Sequence, residues 1–155
     1  MGYALFFRLS HTPAEELVRI TTTRALAQGW RVVIRGRDIS ALDRLDEALW
    51  RDPADGFLPH GLSGGPHDAA QPVLLTLGSE RPNGAHALIT LEGAEVSPEE
   101  IAELERVWIV FDGNDDLALQ VARSQWRALT GAGAEAEFWS EASGQWRKEA
   151  DNRKS

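Results

Sequence analysis

The chain has 155 residues, the length of one ordinary domain, and its 43% hydrophobic content with six tryptophans predicts a folded core. It has no cysteine, which excludes disulfides and cysteine-ligated metals. It also lacks a signal-peptide pattern and any run of about 18 apolar residues, so we expect a cytoplasmic protein. The net charge is −8, and the nine acids and one base between Glu92 and Asp116 account for it, which disfavours a general nucleic-acid binder.

The first third of the chain has the pattern of a β-α-β unit. Residues 3–8 are a short apolar and aromatic run, which predicts a buried strand. Thr12 and Glu15 have the spacing of a capping box, which predicts a helix from there to about Gln28. A second apolar run over residues 30–35 predicts the next strand.

The rest of the chain continues this alternation and ends in a polar tail. A helix is predicted to end near Trp50, with Leu42, Leu45 and Leu49 at helical spacing, and an irregular loop over 52–71 follows it. Next come two predicted strands over 73–77 and 85–91, joined by a turn at Asn83-Gly84, and a short helix capped by Ser97. The last predicted elements are a buried strand over 107–111, a helix over 115–130 and an edge strand over 134–139. These elements predict a Rossmann-like three-layer α/β/α sandwich with a largely parallel sheet, in one domain over residues 1–139. We expect the tail over residues 140–155 to be frayed.

Nucleotide, metal and cofactor sites have little support in the sequence. Neither G-x-G-x-x-G nor G-x-x-x-x-G-K-[ST] occurs, and Pro13 removes an N–H from the first strand-to-helix junction. The four histidines have no helical pairing, and Asp115 with Asp116 fits the first turn of a helix better than a cation site. We therefore expect no metal and no cofactor. A small nucleotide-dependent or hydrolytic α/β enzyme remains the alternative on fold alone.

The helix predicted over 115–130 has two distinct faces. One arc is predicted to be the buried stripe, and its apolar members are Leu117, Ala118, Val121, Ala122, Ala128 and Leu129. Arg123, Trp126 and Arg127 lie outside that arc, so an aromatic ring lies beside two guanidinium groups. This combination suits an anionic group that carries an apolar side chain. The alternative interpretation is a solvated face with Trp126 half-buried against a neighbour.

Two further segments carry a resemblance to a known family. Residues 44–50 (RLDEALW), followed by residues 57–62 (FLPHGL), resemble the helix-and-loop signature of the chi subunit of bacterial DNA polymerase III. The resemblance extends more loosely to residues 122–127 and to Trp139. It implies a three-layer α/β/α fold without a phosphate loop and a non-catalytic role. By this resemblance, the chain links the clamp-loader complex, through the psi subunit or an equivalent, to the acidic C-terminal tail of single-stranded-DNA-binding protein.

The resemblance also implies the residues that bind this tail. Arg123, Trp126 and Arg127 match the basic and aromatic positions that hold it, and Phe57 lines the pocket. Two more residues, Trp50 and Leu119, are expected on the same surface, although Trp50 also fits a structural anchor at a helix end. DNA would then be reached only through the partner protein.

Overall fold

The structure is a computed structural model that describes residues 2–51 and 58–153. The strands are β1 (Tyr3–Leu9), β2 (Val32–Arg35), β3 (Gly61–Leu62), β4 (Val73–Thr76), β5 (Ala87–Leu91), β6 (Arg106–Asp112), β7 (Ala136–Ser140) and β8 (Arg147–Asp151). The helices are α1 (Ala14–Ala27), α2 (Ile39–Arg51), α3 (Pro98–Glu103) and α4 (Asp116–Gly131), with a 3₁₀ turn at Asp68–Ala70. Within these described ranges, none of the helices has the length and apolar character needed to cross a membrane.

All of these strands belong to one sheet, in the order β3-β4-β2-β5-β6-β1-β7-β8. Neighbouring strands are parallel except for β7 and β8, which are antiparallel. The apolar run over residues 107–111 lies in β6, between β5 and β1, and is buried along its whole length. Since a central parallel strand is covered on both faces, the prediction of a strand without a polar face is confirmed.

Helices cover both faces of this sheet. On one face, Ile101 of α3 and Ala122 of α4 pack in a core with Phe6 of β1, and we call this side the α4 layer. On the other face, Val18 of α1 and Leu45 of α2 pack in a second core, and we call this side the α1/α2 layer. The predicted three-layer α/β/α sandwich with a largely parallel sheet is confirmed.

The predicted capping box of the first helix is wrong, whereas the predicted cap of α3 is confirmed. Pro13 is the N-cap of α1, and among the described residues this cap has no side-chain hydrogen bond. The Thr12 hydroxyl instead donates to the carboxylate of Glu141. At α3, Ser97 and Glu100 form the full reciprocal capping box. At α1, Thr12 therefore hydrogen-bonds to Glu141, which is distant in the sequence, and not to Glu15, its predicted partner in the capping box.

The middle of the chain is more regular than the sequence predicts. The segment predicted to be irregular over 52–71 contains β3 and the 3₁₀ turn. The turn before β5 is present, with Gly84 at a φ of +66°, but β4 and β5 do not pair with each other. Both strands lie parallel to β2, one on each side of it. The turn signal at Asn83-Gly84 therefore corresponds to a real turn, but the strands on either side of it do not form a hairpin.

The prediction of a frayed tail is also wrong for the part of the tail that the structure describes. Residues 147–151 form β8, which pairs with β7, so β7 is not the edge of the sheet. Beyond β8, Asn152 accepts a hydrogen bond from the backbone N–H of Ala136, and Arg153 forms an ion pair with Glu137 at 2.9 Å. The segment looks like a tail in sequence because an exposed edge strand is mostly polar.

Candidate functional site

Helix α4 begins beside the sheet's carboxyl edge with an acidic cap. The Asp115 carboxylate accepts hydrogen bonds from the N–H groups of Leu117 and Ala118 at 2.9 and 3.2 Å. Asp112 accepts the N–H of Asn114 in the preceding turn. These acids thus hold backbone donors at a helix start, where the dipole favours negative charge. Within residues 2–51 and 58–153, no group of histidine and acidic residues is arranged to hold a metal ion.

The buried face of α4 is rotated relative to the predicted stripe. Ala122 and Leu129 are buried as predicted, and Leu119 and Trp126 pack against the same core. The predicted stripe is wrong at three positions, namely Leu117, which is 73% exposed, Val121, which is 41% exposed, and Ala128, which is also exposed. Apolar residues occur around more than half of this helix, so spacing alone does not decide which arc faces the sheet.

Trp126 anchors α4 to the sheet through two aromatic contacts. Its ring lies 5.4 Å from that of Phe6 and 5.8 Å from that of Phe138, at interplanar angles of 72° and 80°. Edge-to-face contacts of this kind stabilise a core beyond simple burial. Trp126 remains partly exposed. The alternative interpretation, a half-buried Trp126 against a neighbour, is therefore confirmed for this residue.

Arg123 and Arg127 lie on one exposed flank of α4. Neither guanidinium has an ion-pair or hydrogen-bond partner in the part of the chain that the structure describes. At 100° per residue, both lie on the same side of the buried Ala122 as Trp126. Because Trp126 reaches Phe138 of β7, this flank faces the side of the sheet that carries β7 and β8. The flank therefore combines two exposed positive charges with the exposed part of an aromatic ring.

A large cavity lies on the opposite flank of α4. It has a volume of about 870 Å³, is lined by Leu117 and Val121, and opens at the carboxyl ends of β1, β5 and β6. From the adjacent strands β1 and β6, the chain continues into α1 on one face of the sheet and into α4 on the other. Ligands commonly bind α/β sheets at such a point, beyond the carboxyl ends of the strands. Four carboxylates and one guanidinium line it, namely those of Glu15, Glu92, Asp112, Asp115 and Arg44. The cavity is thus negatively charged and poorly suited to an anionic ligand.

The backbone N–H groups at the junction between β1 and α1 bind a carboxylate of this chain, that of Glu141. One oxygen of the Glu141 carboxylate accepts the N–H groups of Ser10, His11 and Thr12 at 2.9, 3.0 and 2.8 Å. The other oxygen accepts the Thr12 hydroxyl at 2.7 Å. Burial favours the neutral acid, but the hydrogen bonds outweigh it and lower the pKa of Glu141 to about 2. The backbone donors that would meet a phosphate in a nucleotide-binding relative of this fold are occupied by Glu141.

Sequence reasoning missed Glu141, because its partners are 129 to 131 residues away along the chain. No sequence pattern near Glu141 predicts that its carboxylate binds a distant loop. The residue falls in the segment predicted to be a polar tail, where a carboxylate is unremarkable.

The structure does not bring all of the predicted site residues together. Arg123, Trp126 and Arg127 lie within two turns of α4, and Leu119, one turn before Arg123, lies on the same flank, where it packs against the core and is partly exposed. Trp50 lies at the end of α2, with its ring 4.1 Å from that of His60. The sheet separates α2 from α4, so Trp50 does not share a pocket with Trp126. Phe57 lies outside the described residues.

Comparisons with known proteins identify the family of this chain. The family model for the DNA polymerase III chi subunit, HolC, matches residues 1–137. DNA polymerase III subunit chi of Escherichia coli (strain K12) is 32% identical over 120 residues, which cover 77% of this chain and 80% of that protein. The probable DNA polymerase III subunit chi of Rickettsia prowazekii (strain Madrid E) is 27% identical over 104 residues, or 65% of this chain and 60% of that protein. The chain therefore belongs to the DNA polymerase III chi subunit family, whose members are accessory subunits in DNA replication.

Proposed function

We propose that this chain links the clamp-loader complex of DNA polymerase III to single-stranded-DNA-binding protein by binding the acidic C-terminal tail of that protein on α4. The observation that carries the proposal is the pair of guanidinium groups of Arg123 and Arg127 beside Trp126, exposed and without a partner among the described residues. They are exposed in a chain with a net charge of −8, so the flank is a local site for an anion. The identity of the anion comes from the family resemblance.

Each residue of this flank has a distinct role in the proposed complex. Arg123 and Arg127 bind the terminal carboxylate and the neighbouring aspartates, for which a guanidinium has matching geometry. The exposed part of Trp126 receives the terminal aromatic side chain. Its ring is already held by Phe6 and Phe138, so little side-chain freedom is lost on binding. Phe57, assigned by resemblance alone, stays a prediction as a further wall of the pocket.

The charges of the large cavity favour this function over the nucleotide-dependent or hydrolytic alternative. A phosphate bound at the junction of β1 and α1 would have to displace Glu141, which holds three backbone N–H groups there. It would also lie near the four carboxylates that line the cavity. An acidic tail meets the same repulsion in the cavity, whereas the α4 flank offers it two cations.

A linking subunit also needs two surfaces that can be occupied at once. The α4 flank lies on one side of the sheet, and α1 and α2 lie on the other. A clamp-loader subunit, psi or an equivalent, bound to the α1/α2 layer would not compete with a tail bound to α4. Separate layers therefore suit the proposed role.

Replacing Arg123 with alanine tests the proposed tail site. We expect the variant to bind a peptide ending in Asp-Ile-Pro-Phe roughly tenfold more weakly, because a charge-assisted contact contributes about 1.5 to 3 kcal/mol when partly desolvated. Isothermal titration calorimetry measures the affinity. The matched control is Arg24→Ala, which removes an exposed arginine from α1 in the other layer and makes the same change in net charge. Unchanged affinity in a folded Arg123→Ala protein would refute the assignment.

A second test concerns direct DNA binding. We expect no micromolar binding of the isolated chain to bare oligonucleotide at about 0.15 M salt, because its net charge of −8 repels a phosphate backbone. Fluorescence anisotropy of a labelled oligonucleotide measures this. Addition of single-stranded-DNA-binding protein to the oligonucleotide should then recruit the chain, and the same partner without its C-terminal tail should not. Recruitment by the tail-less partner would contradict the proposed route to DNA.

A further inference from the structure

Strand β8 adds a basic residue that the family match does not cover. The match ends at residue 137, whereas β8 spans Arg147–Asp151. In the antiparallel pairing, Phe138 lies opposite Ala150, and after a one-residue register shift between Phe138 and Trp139, Trp139 lies opposite Lys148 and Ser140 opposite Arg147. Both Phe138 and Ala150 pack on the core of the α4 layer. The strand therefore extends the sheet directly beside the flank of α4 described above.

The register assigns the side chains of β8 to the two faces of the sheet. Ser140 lies two residues after Phe138, so its side chain is on the same face, towards the α4 layer. Residues directly opposite each other in an antiparallel pair share a face, so Arg147 also projects towards the α4 layer. Lys148, opposite Trp139, is on the other face, where it forms an ion pair with Asp151 at 2.7 Å.

Arg147 thereby lies on the face of the sheet that α4 covers, as do Arg123 and Arg127. Its side chain is exposed, and it has no ion-pair or hydrogen-bond partner among residues 2–51 and 58–153. Trp126 of α4 and Ala150 of β8 pack against the same core on this face. This face therefore combines partly buried apolar side chains with three exposed guanidinium groups.

We propose that Arg147 is a third cation of the tail site and binds an aspartate that precedes the terminal aromatic residue of the tail. The inference rests on the proposed function, since it names a residue that widens the same site. An acidic peptide bound along α4 places its end at the two arginines of the helix. Its preceding residues then lie towards β8, where Arg147 supplies the complementary charge.

The test compares two variants on opposite faces of one strand. We expect Arg147→Ala to weaken binding of an aspartate-containing tail peptide about threefold to fivefold, as an exposed ion pair permits. Lys148→Ala makes the same change in net charge on the other face and should leave the affinity nearly unchanged. With a second peptide, in which asparagine replaces the aspartates before the terminal residues, Arg147→Ala should have little effect. Calorimetry provides the affinities, and circular dichroism with thermal melting verifies each fold.

The outcomes separate this inference from the proposed function. If Arg123→Ala weakens binding but Arg147→Ala does not, the third cation is wrong and the tail site on α4 stands. If Arg123→Ala has no effect, the proposed function itself fails. Equal losses in Arg147→Ala and Lys148→Ala indicate long-range attraction only and overturn the inference. Should Arg147→Ala disturb the strand, Arg147→Lys keeps the charge and must retain most of the affinity.

Discussion

Truncation of Trp126 to alanine is expected to lower the free energy of unfolding by about 3 kcal/mol, and the melting temperature by roughly 6 to 12 °C. The change removes a ring that contacts Phe6 and Phe138 edge to face and leaves a cavity beneath α4. The value is at the lower end for tryptophan because the ring remains partly exposed. Urea denaturation and calorimetric melting measure the effect.

Two variants provide the controls. Trp126→Phe keeps an aromatic ring in the site and should recover most of the stability. Because it stays folded, it is also the Trp126 variant suited to a measurement of tail affinity. Arg127→Ala changes an exposed neighbour on the same helix and should melt close to the unmodified protein. A Trp126→Ala protein with unchanged stability would show that the ring does not anchor α4.

Replacing Glu141 with glutamine is expected to cost up to about 3 kcal/mol of stability at pH 7. The folded state lowers the pKa of this carboxyl from its ordinary value of 4.5 to about 2, and a tenfold change in proton affinity corresponds to about 1.4 kcal/mol. Since the folded pKa is depressed, the contribution is fully present above about pH 5. It is lost as the pH falls through 4.5 towards 2. Glutamine has nearly the same shape but no charge to offer the three N–H groups.

The expected signature is therefore a change in pH dependence as well as in stability. Urea denaturation at pH 7 and pH 3 should show a large difference for the unmodified protein and a smaller one for Glu141→Gln. Glu149→Gln, at an exposed position of β8, serves as the control and should behave like the unmodified protein. If Glu141→Gln keeps the full acid sensitivity, another carboxyl is responsible for it.

Local sequence signals predicted the types of most elements correctly. The apolar run of β6 and the capping box at Ser97 each involve residues within a few positions of one another. The alternation of such elements then led to the α/β class, because parallel strands need crossover connections. The family resemblance came from two short segments, and the comparisons confirm it.

Part of the candidate site could also be predicted from local sequence signals. The adjacency of Arg123, Trp126 and Arg127 follows from helical spacing alone, so the sequence could group them. Spacing left open whether Trp126 belongs to a binding face or is half-buried against a neighbour, and its contacts with Phe6 and Phe138 decided this. The sequence grouped Trp50 with them by resemblance, whereas the sheet separates that residue from α4.

The fold class, the order of most elements, the family and the basic and aromatic composition of α4 all follow from the amino-acid sequence alone. Three features required the folded chain: which arc of α4 is buried, which anion occupies the loop before α1, and that the polar C-terminal segment forms β8. Periodicity and capping arise between residues close in the chain, so they can be read locally. The rotation of α4, the hydrogen bonds of Glu141 and the register of β8 depend on partners that only folding brings together.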